Sequence, residues 1–231
     1  MTYSKQQPII ILGGFLIPTT DYYDMSEWLE AEIKQPVSVI DTNKFEWLLT
    51  NWAFGWKRIL DHLDKEVKRL QNTSNTNKVT LIGHSSGGVM LRLYLSDEDF
   101  YGRVYKGFER VDCLITLGSP HQAEKATKLR AMVDRKYPGT FYRSKVKYIS
   151  IAGDLDLNAP DTSKFSKRTA KISYKSLCSL KNAKGDGLVP IQSALLNGSN
   201  QIILDKTSHG NLFGRNWYCS KAKVEEWWYK I

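Results

Sequence analysis

The sequence contains no apolar run approaching the roughly 20 residues that a bilayer-spanning helix needs. Its longest candidate, Ile9 to Ile17, is broken by Gly13 and Gly14, so no membrane-crossing helix is expected. The opening residues MTYSKQQPII lack the long apolar stretch and small-residue cleavage site of a secretory signal. The chain is therefore expected to begin as written and to be cytoplasmic. Cysteine is scarce: Cys113, Cys178 and Cys219 are scattered without CxxC spacing, which argues against a disulfide framework and against a zinc site. Each is expected to act as a small buried hydrophobe. No internal repeat or low-complexity tract occurs. Acidic residues are in deficit, 24 against 33 lysines and arginines, and the resulting net charge of +9 implies attraction to polyanions: nucleic acid, anionic lipid headgroups or acidic proteins. Charge alone does not choose among them.

What is present fits a globular α/β domain. A chain of 231 residues, 42% hydrophobic and 25% charged, can enclose one substantial core, and a single domain spanning residues 1–231 is expected. Strand and helix signals alternate. Apolar runs at Pro8 to Leu12, Val37 to Ile40, Val79 to Ile82, Val111 to Leu117, Val146 to Ala152 and Gln201 to Leu204 read as strands. Between and after them, Met25 to Ile33, Trp56 to Leu70, Val89 to Leu95 and Lys221 to Tyr229 read as helices, with Ile59, Leu60, Leu63, Val67 and Leu70 at helical spacing. Such alternation predicts a mainly parallel sheet with helices on both faces. Two stretches interrupt it and read as insertions at strand ends. One is 122–145. The other is 154–185, with Lys164, Lys167, Arg168, Lys171, Lys175, Lys181 and Lys184; its simplest reading is a solvated loop face.

Gly83-His84-Ser85-Ser86-Gly87 has the GxSxG pattern, placed directly after a β-branched strand and before a helix. In that context the glycines let a serine occupy a sharp strand-to-helix turn and project from the sheet's carboxyl edge. Ser85 is thus the candidate nucleophile. A serine hydroxyl is a weak nucleophile at neutral pH, so the chemistry also requires a neighbouring base, a group to orient it, and donors for the oxyanion. Among four histidines, His209 follows a late strand in a loop that would overhang the nucleophile, whereas His62 lies within an amphipathic helix. His209 is the candidate base. For the orienting acid, Asp186 competes with Asp154 and Asp156, which directly follow a strand. The Ser86 N–H, next to the nucleophile, is one expected oxyanion donor, and the loop Gly13-Gly14-Phe15-Leu16 after the first strand should supply the other.

The motifs GHSSGG, LGSPH, GDGLVP and SHG, in that order, resemble the lipase and esterase branch of the α/β-hydrolases, over most of the chain. The resemblance implies the α/β-hydrolase fold and a triad running Ser85, Asp186, His209. It implies Phe15 N–H as the second oxyanion donor, with Leu16 as the nearby alternative. It further implies that His84 and His121 shape the pocket floor and wall without taking the proton, with Gly14, Leu16 and Leu188 as further pocket residues. Chemistry of this kind requires no metal or organic cofactor.

Large apolar groups near the expected site, Phe15, Leu16 and Ile17 together with Trp47, Leu48, Leu49, Trp52, Phe54 and Trp56, favour a lipid or other hydrophobic ester. Ala126, Leu129, Met132 and Val133 fall at helical spacing among basic residues between Gln122 and Arg135, describing a short lid. This segment and the later basic insertion are expected to allow peripheral contact with an anionic membrane surface. The basic residues lack the aromatic interleaving of a single-strand binder, so no nucleic-acid partner is expected. Thioester cleavage or acyl transfer through the same triad is the alternative chemistry, and a non-catalytic binding protein on the same fold is the alternative class.

Overall fold

The computed structural model describes residues 6–122, 125, 127–160, 162–178 and 183–231; Ala126 and Lys181 lie outside them. Six strands, β1 (Ile9–Leu12), β2 (Val37–Val39), β3 (Val79–His84), β4 (Val111–Leu117), β5 (Lys147–Asp154) and β6 (Asn200–Asp205), form one sheet in the order β2-β1-β3-β4-β5-β6. Every pairing is parallel. The central strands are buried on both faces, which is why β1 reads Ile-Ile-Ile-Leu with no polar alternation.

Successive side chains along a strand point to opposite faces, and the sheet divides two cores accordingly. Ile10, Leu12, Leu81 and Leu114 pack with Ile59, Leu60, Leu63 and Val67 of α3 (Ala53–Thr73) and with Met90 and Leu91 of α4 (Ser86–Tyr94). On the other face Ile9, Ile11, Ile82, Ile115 and Ile151 meet Met25 and Leu29 of α1 (Tyr23–Ile33) and Val224, Trp227 and Trp228 of α8 (Lys221–Lys230). A short helix, α2 (Lys44–Leu49), begins at a reciprocal cap between Asn43 and Glu46.

Segment 122–145 contains α5 (Lys128–Lys136), which links β4 to β5 and packs Val133 against the α3–α4 core, with Leu129 and Met132 partly buried there. The helix starts at Lys128 because Thr127 caps it, its hydroxyl accepting from Arg130 N–H at 3.4 Å. Segment 154–185 contains a second helix, α6 (Lys164–Leu177), capped by Ser163. Its buried stripe is Ser166, Ala170, Tyr174 and Leu177, spaced for a helix but too small and polar to stand out in sequence. A last short helix, α7 (Ile191–Ala194), precedes β6. Among the described residues no helix is long and apolar enough to cross a membrane.

Because all strands run one way, the loops that follow β1, β3, β5 and β6 emerge along one carboxyl edge. The chain passes from β1 outward to β2 and then back across β1 to β3. The crevice between the β1 and β3 loops is therefore a topological switch point, where open parallel sheets bind ligands.

Candidate active site

At the end of β3 the chain turns into α4 through Ser85, whose backbone sits at φ 51° and ψ −123°, a conformation that non-glycine residues rarely adopt. The turn exists because its neighbours have no side chains. A Cβ at Gly83 would lie 2.4 Å from Gly88 Cα, and one at Gly87 would lie 2.4 Å from the Gly13 carbonyl oxygen. The Ser85 N–H donates to the Leu117 carbonyl at 2.9 Å, tying the strained residue to β4.

The loop after β6 brings His209 over this serine. Its Nε2 lies 3.0 Å from Ser85 Oγ and its Nδ1 2.8 Å from Asp186 Oδ2. Asp186 is fully buried, and its carboxylate accepts from four donors. Oδ2 takes the Nδ1–H of His209 and the hydroxyl of Tyr218 at 2.8 Å; Oδ1 takes the N–H groups of Leu188 and Val189 at 2.9 and 2.7 Å. An acceptor-only carboxylate at Nδ1 fixes the tautomer and leaves Nε2 free to accept the serine proton. The competing acids point elsewhere: Asp154 is 3.1 Å from Lys184 Nζ, and Asp156 accepts the Asn158 N–H at 2.9 Å.

Beside Ser85 runs the turn after β1, closed by a 3.2 Å bond from Ile17 N–H to the Gly14 carbonyl. The Gly14 N–H is spent on Tyr22 Oη at 2.8 Å. Among the described residues the N–H groups of Phe15, Leu16 and Ser86 have no acceptor in the chain; at Ser86 this follows from its place as the first residue of α4.

A cavity of about 480 Å³ contains Ser85, Ser86 and His209 in its lining, together with Phe15, Leu16, Ile17, Trp56, Leu177, Leu188, Leu212 and Phe213. Leu16 and Leu188 are among these lining residues. Gly14 stands behind Ser85, with room for nothing larger, since a Cβ there would lie 2.9 Å from the serine Cβ. The two pocket histidines require correction. His84 is fully buried beneath His209, ring centroids 4.8 Å apart, with Nδ1 2.8 Å from Tyr22 Oη. Burial, and secondarily His209, pushes its pKa well below the ordinary histidine value, so it is a neutral support under the base and does not line the cavity. His121 turns inward to Thr116 Oγ1 at 3.0 Å and Arg92 Nη1 at 3.4 Å, leaving Pro120 in the cavity wall. Of the aromatic set after β2, Trp56 reaches the cavity. Trp47 is buried behind Phe15 at a centroid distance of 6.2 Å, and Trp52 and Phe54 stack on each other at the surface.

Two tyrosines that no motif marks complete the site. Tyr218 donates to Asp186 and accepts the Gly153 N–H at 2.7 Å. Tyr22 accepts from Gly14 and contacts His84. Burial raises both phenol pKa values well above the usual value, aided at Tyr218 by the Asp186 carboxylate and at Tyr22 by Cys219, so both remain hydroxyl donors. Among the described residues no group of three or more His, Cys, Asp or Glu side chains is placed to hold a metal ion.

The comparisons with known proteins agree on the fold. A family model, the PGAP1-like alpha/beta domain, matches residues 55–165, just under half of the chain and including the Ser85 turn. A solved structure of a Listeria innocua gene product is similar over 97% of this chain and 93% of its own, at 15% identity and a TM-score of 0.57. Phospholipase PlaB from Legionella pneumophila, in complex with thio-NAD, is similar over 95% of this chain and 56% of its own, at 13% identity and a TM-score of 0.67. The chain has the α/β-hydrolase fold. It spans about half the length of PlaB, and no curated protein matches its sequence. Within this fold the turn at Ser85 follows β3, the loop carrying Asp186 lies between β5 and β6, and the loop carrying His209 follows β6. A hydroxyl, an imidazole and a carboxylate joined by bonds of 3.0 and 2.8 Å beside unspent N–H groups are the parts that acyl transfer to serine needs.

Proposed function

We propose that this α/β-hydrolase cleaves a carboxylic ester of a lipid or other hydrophobic acyl substrate through an acyl-serine intermediate. The observation that carries the reading is the continuous path from Asp186 through His209 to Ser85, at 2.8 and 3.0 Å, opening into a largely apolar cavity. Ser85 Oγ attacks the ester carbonyl while His209 Nε2 takes its proton. Asp186 stabilises the imidazolium, and the oxyanion receives hydrogen bonds from the N–H groups of Ser86 and Phe15. The tetrahedral intermediate collapses as His209 passes the proton to the leaving alcohol. Water then repeats the sequence on the acyl-serine and releases the acid. The apolar side chains around the cavity suit the acyl chain, and PlaB, which shares the fold, is a phospholipase.

A fluorophosphonate probe tests this directly. It should label the protein at Ser85 and hydrolysis of short p-nitrophenyl esters should accompany labelling, with Ser85→Ala and His209→Ala each removing both. Ester hydrolysis that survives Ser85→Ala would refute the assignment.

The exposed face of α6 and the start of α5 are basic, and Phe165, Trp52, Phe54 and Leu212 are solvent-exposed apolar groups. Together they suit peripheral docking on an anionic membrane, each cation near the headgroups contributing on the order of 1 kcal/mol. At low salt the protein should cosediment with vesicles containing phosphatidylserine and not with neutral vesicles. Equal retention by both would exclude electrostatic docking.

A further inference from the structure

Three arginines among the described residues are withdrawn from full solvent exposure. Arg92 and Arg110 each face a carboxylate, Asp134 at 3.6 Å and Asp64 at 2.8 Å. The third, Arg130 in the first turn of α5, has no ion-pair partner among the described residues. Among the described residues its one side-chain bond is a long one, Nε to Thr127 Oγ1 at 3.4 Å, and no bond from either terminal NH2 group of the guanidinium is found among them. Arg130 lines the cavity that holds Ser85, as does Lys125, and no aspartate or glutamate is found among the described lining residues.

Taking a guanidinium out of water is costly unless an anion or several acceptors repay it. Burial draws the Arg130 pKa below the usual arginine value, yet an arginine remains protonated in proteins. Among the described residues, therefore, the cavity is a cationic pocket with no acidic side chain in its lining. The segment around Arg130 and the facing helix bring further polar groups to the lining. The Lys125 N–H donates to the Ser176 carbonyl at 3.1 Å, so the segment leading into α5 abuts α6, and Thr127, Ser173 and Ser176 add hydroxyls there. The remaining walls are largely apolar.

We propose that Arg130 is the specificity-determining residue of this cavity: its guanidinium binds an anionic oxygen group, a phosphate or carboxylate, that the substrate carries away from its scissile ester. Lys125 supplies a second positive charge beside it. The planar fork of an arginine matches either group in a two-point hydrogen-bonded contact. The assignment rests on Ser85 working on an ester in this cavity, but the binding it requires is measurable without turnover.

The test uses calorimetry on the Ser85→Ala protein with three short-chain ether ligands: 1-O-hexylglycerol, its 3-phosphate, and its 3-carboxymethyl ether. At least one anionic ligand should bind ten-fold or more tightly than the neutral one. Arg130→Gln in the same background should abolish that preference, and Arg130→Lys, which keeps the charge and loses the fork, should retain part of it. A stronger response to the phosphate or to the carboxylate identifies the group. Equal affinity for all three ligands, or an Arg130→Gln variant that weakens all three alike, overturns the proposal. So does inorganic phosphate binding as tightly as the phosphorylated ether, which would mark a free-anion site. Fluorophosphonate labelling of the chain with Ser85 intact is scored separately. Its failure would refute ester hydrolysis while the ligand comparison still decides whether Arg130 reads an anion.

Discussion

Tyr218 shows how much of the site's order depends on single atoms. Its hydroxyl donates to Asp186 Oδ2 and accepts the Gly153 N–H, joining the acid to β5. Tyr218→Phe leaves a buried N–H without an acceptor and removes one of four donors to the carboxylate. A hydrogen bond to a charged group is worth about 1.5–3 kcal/mol, and a tenfold rate change corresponds to about 1.4 kcal/mol, so kcat on a p-nitrophenyl ester should fall roughly ten- to hundredfold with KM little changed. The acids separate more sharply. Asp186→Ala should lower kcat by on the order of 10⁴, as expected when the orienting carboxylate of such a triad is lost. Asp154→Ala removes a surface-facing pair with Lys184 of a kind worth little, and should retain near-normal turnover. The reverse ranking would reassign the acid. Ser85 and His209 were legible in the sequence because a glycine-flanked turn and a strand-following loop leave local marks. Tyr218 and Tyr22 leave none, since Tyr218 meets Asp186 across 32 residues and Tyr22 meets His84 across 62.

At the scale of elements, α6 is the segment whose role differs most from a solvated loop. Its Ser173 hydroxyl donates to the Leu188 carbonyl at 2.6 Å and Tyr174 Oη accepts the Gly187 N–H at 2.9 Å, so the helix braces the turn that carries Asp186. Burial pushes the Tyr174 phenol pKa above its usual range, keeping it protonated. Tyr174→Phe strands the Gly187 N–H and should cost about 1–3 kcal/mol, read as a fall in thermal midpoint. Lys171→Ala on the exposed face should stay within about 0.5 kcal/mol of the parent. Equal effects would mean that α6 packs on the domain without supporting the turn. The central strands were readable because fully buried parallel strands are continuous apolar runs, as in β1. The stripe of α6 is read only once the surface beneath it is known.

For the molecule as a whole, buried neutral histidines tie stability to pH. His84 and His121 are held well below the ordinary histidine pKa, both first by burial and then by a neighbouring group, His209 and Arg92 respectively. In the unfolded chain each regains a pKa near 6.5. As pH falls below about 6.5 the unfolded state takes up protons that the native state refuses, so stability is fully present above that value and declines below it, by up to about 1.4 kcal/mol per pH unit per histidine. The thermal midpoint should be flat near neutrality and fall between about pH 6.5 and 5. His121→Gln should lower the plateau and make the decline shallower. A midpoint unchanged over that interval would show that these imidazoles carry no linkage.

The sequence by itself determined the parallel α/β architecture, the strained nucleophile turn and the histidine loop, because each is written within a few adjacent residues as periodicity, glycine placement or strand-loop order. Only the tertiary structure decided which carboxylate meets His209, which histidines withdraw beneath the cavity, and that Arg130 stands in its wall with no acid beside it among the described residues. Those outcomes depend on side chains from separate loops arriving at one carboxyl edge, where distance and burial, not spacing along the chain, select the partners.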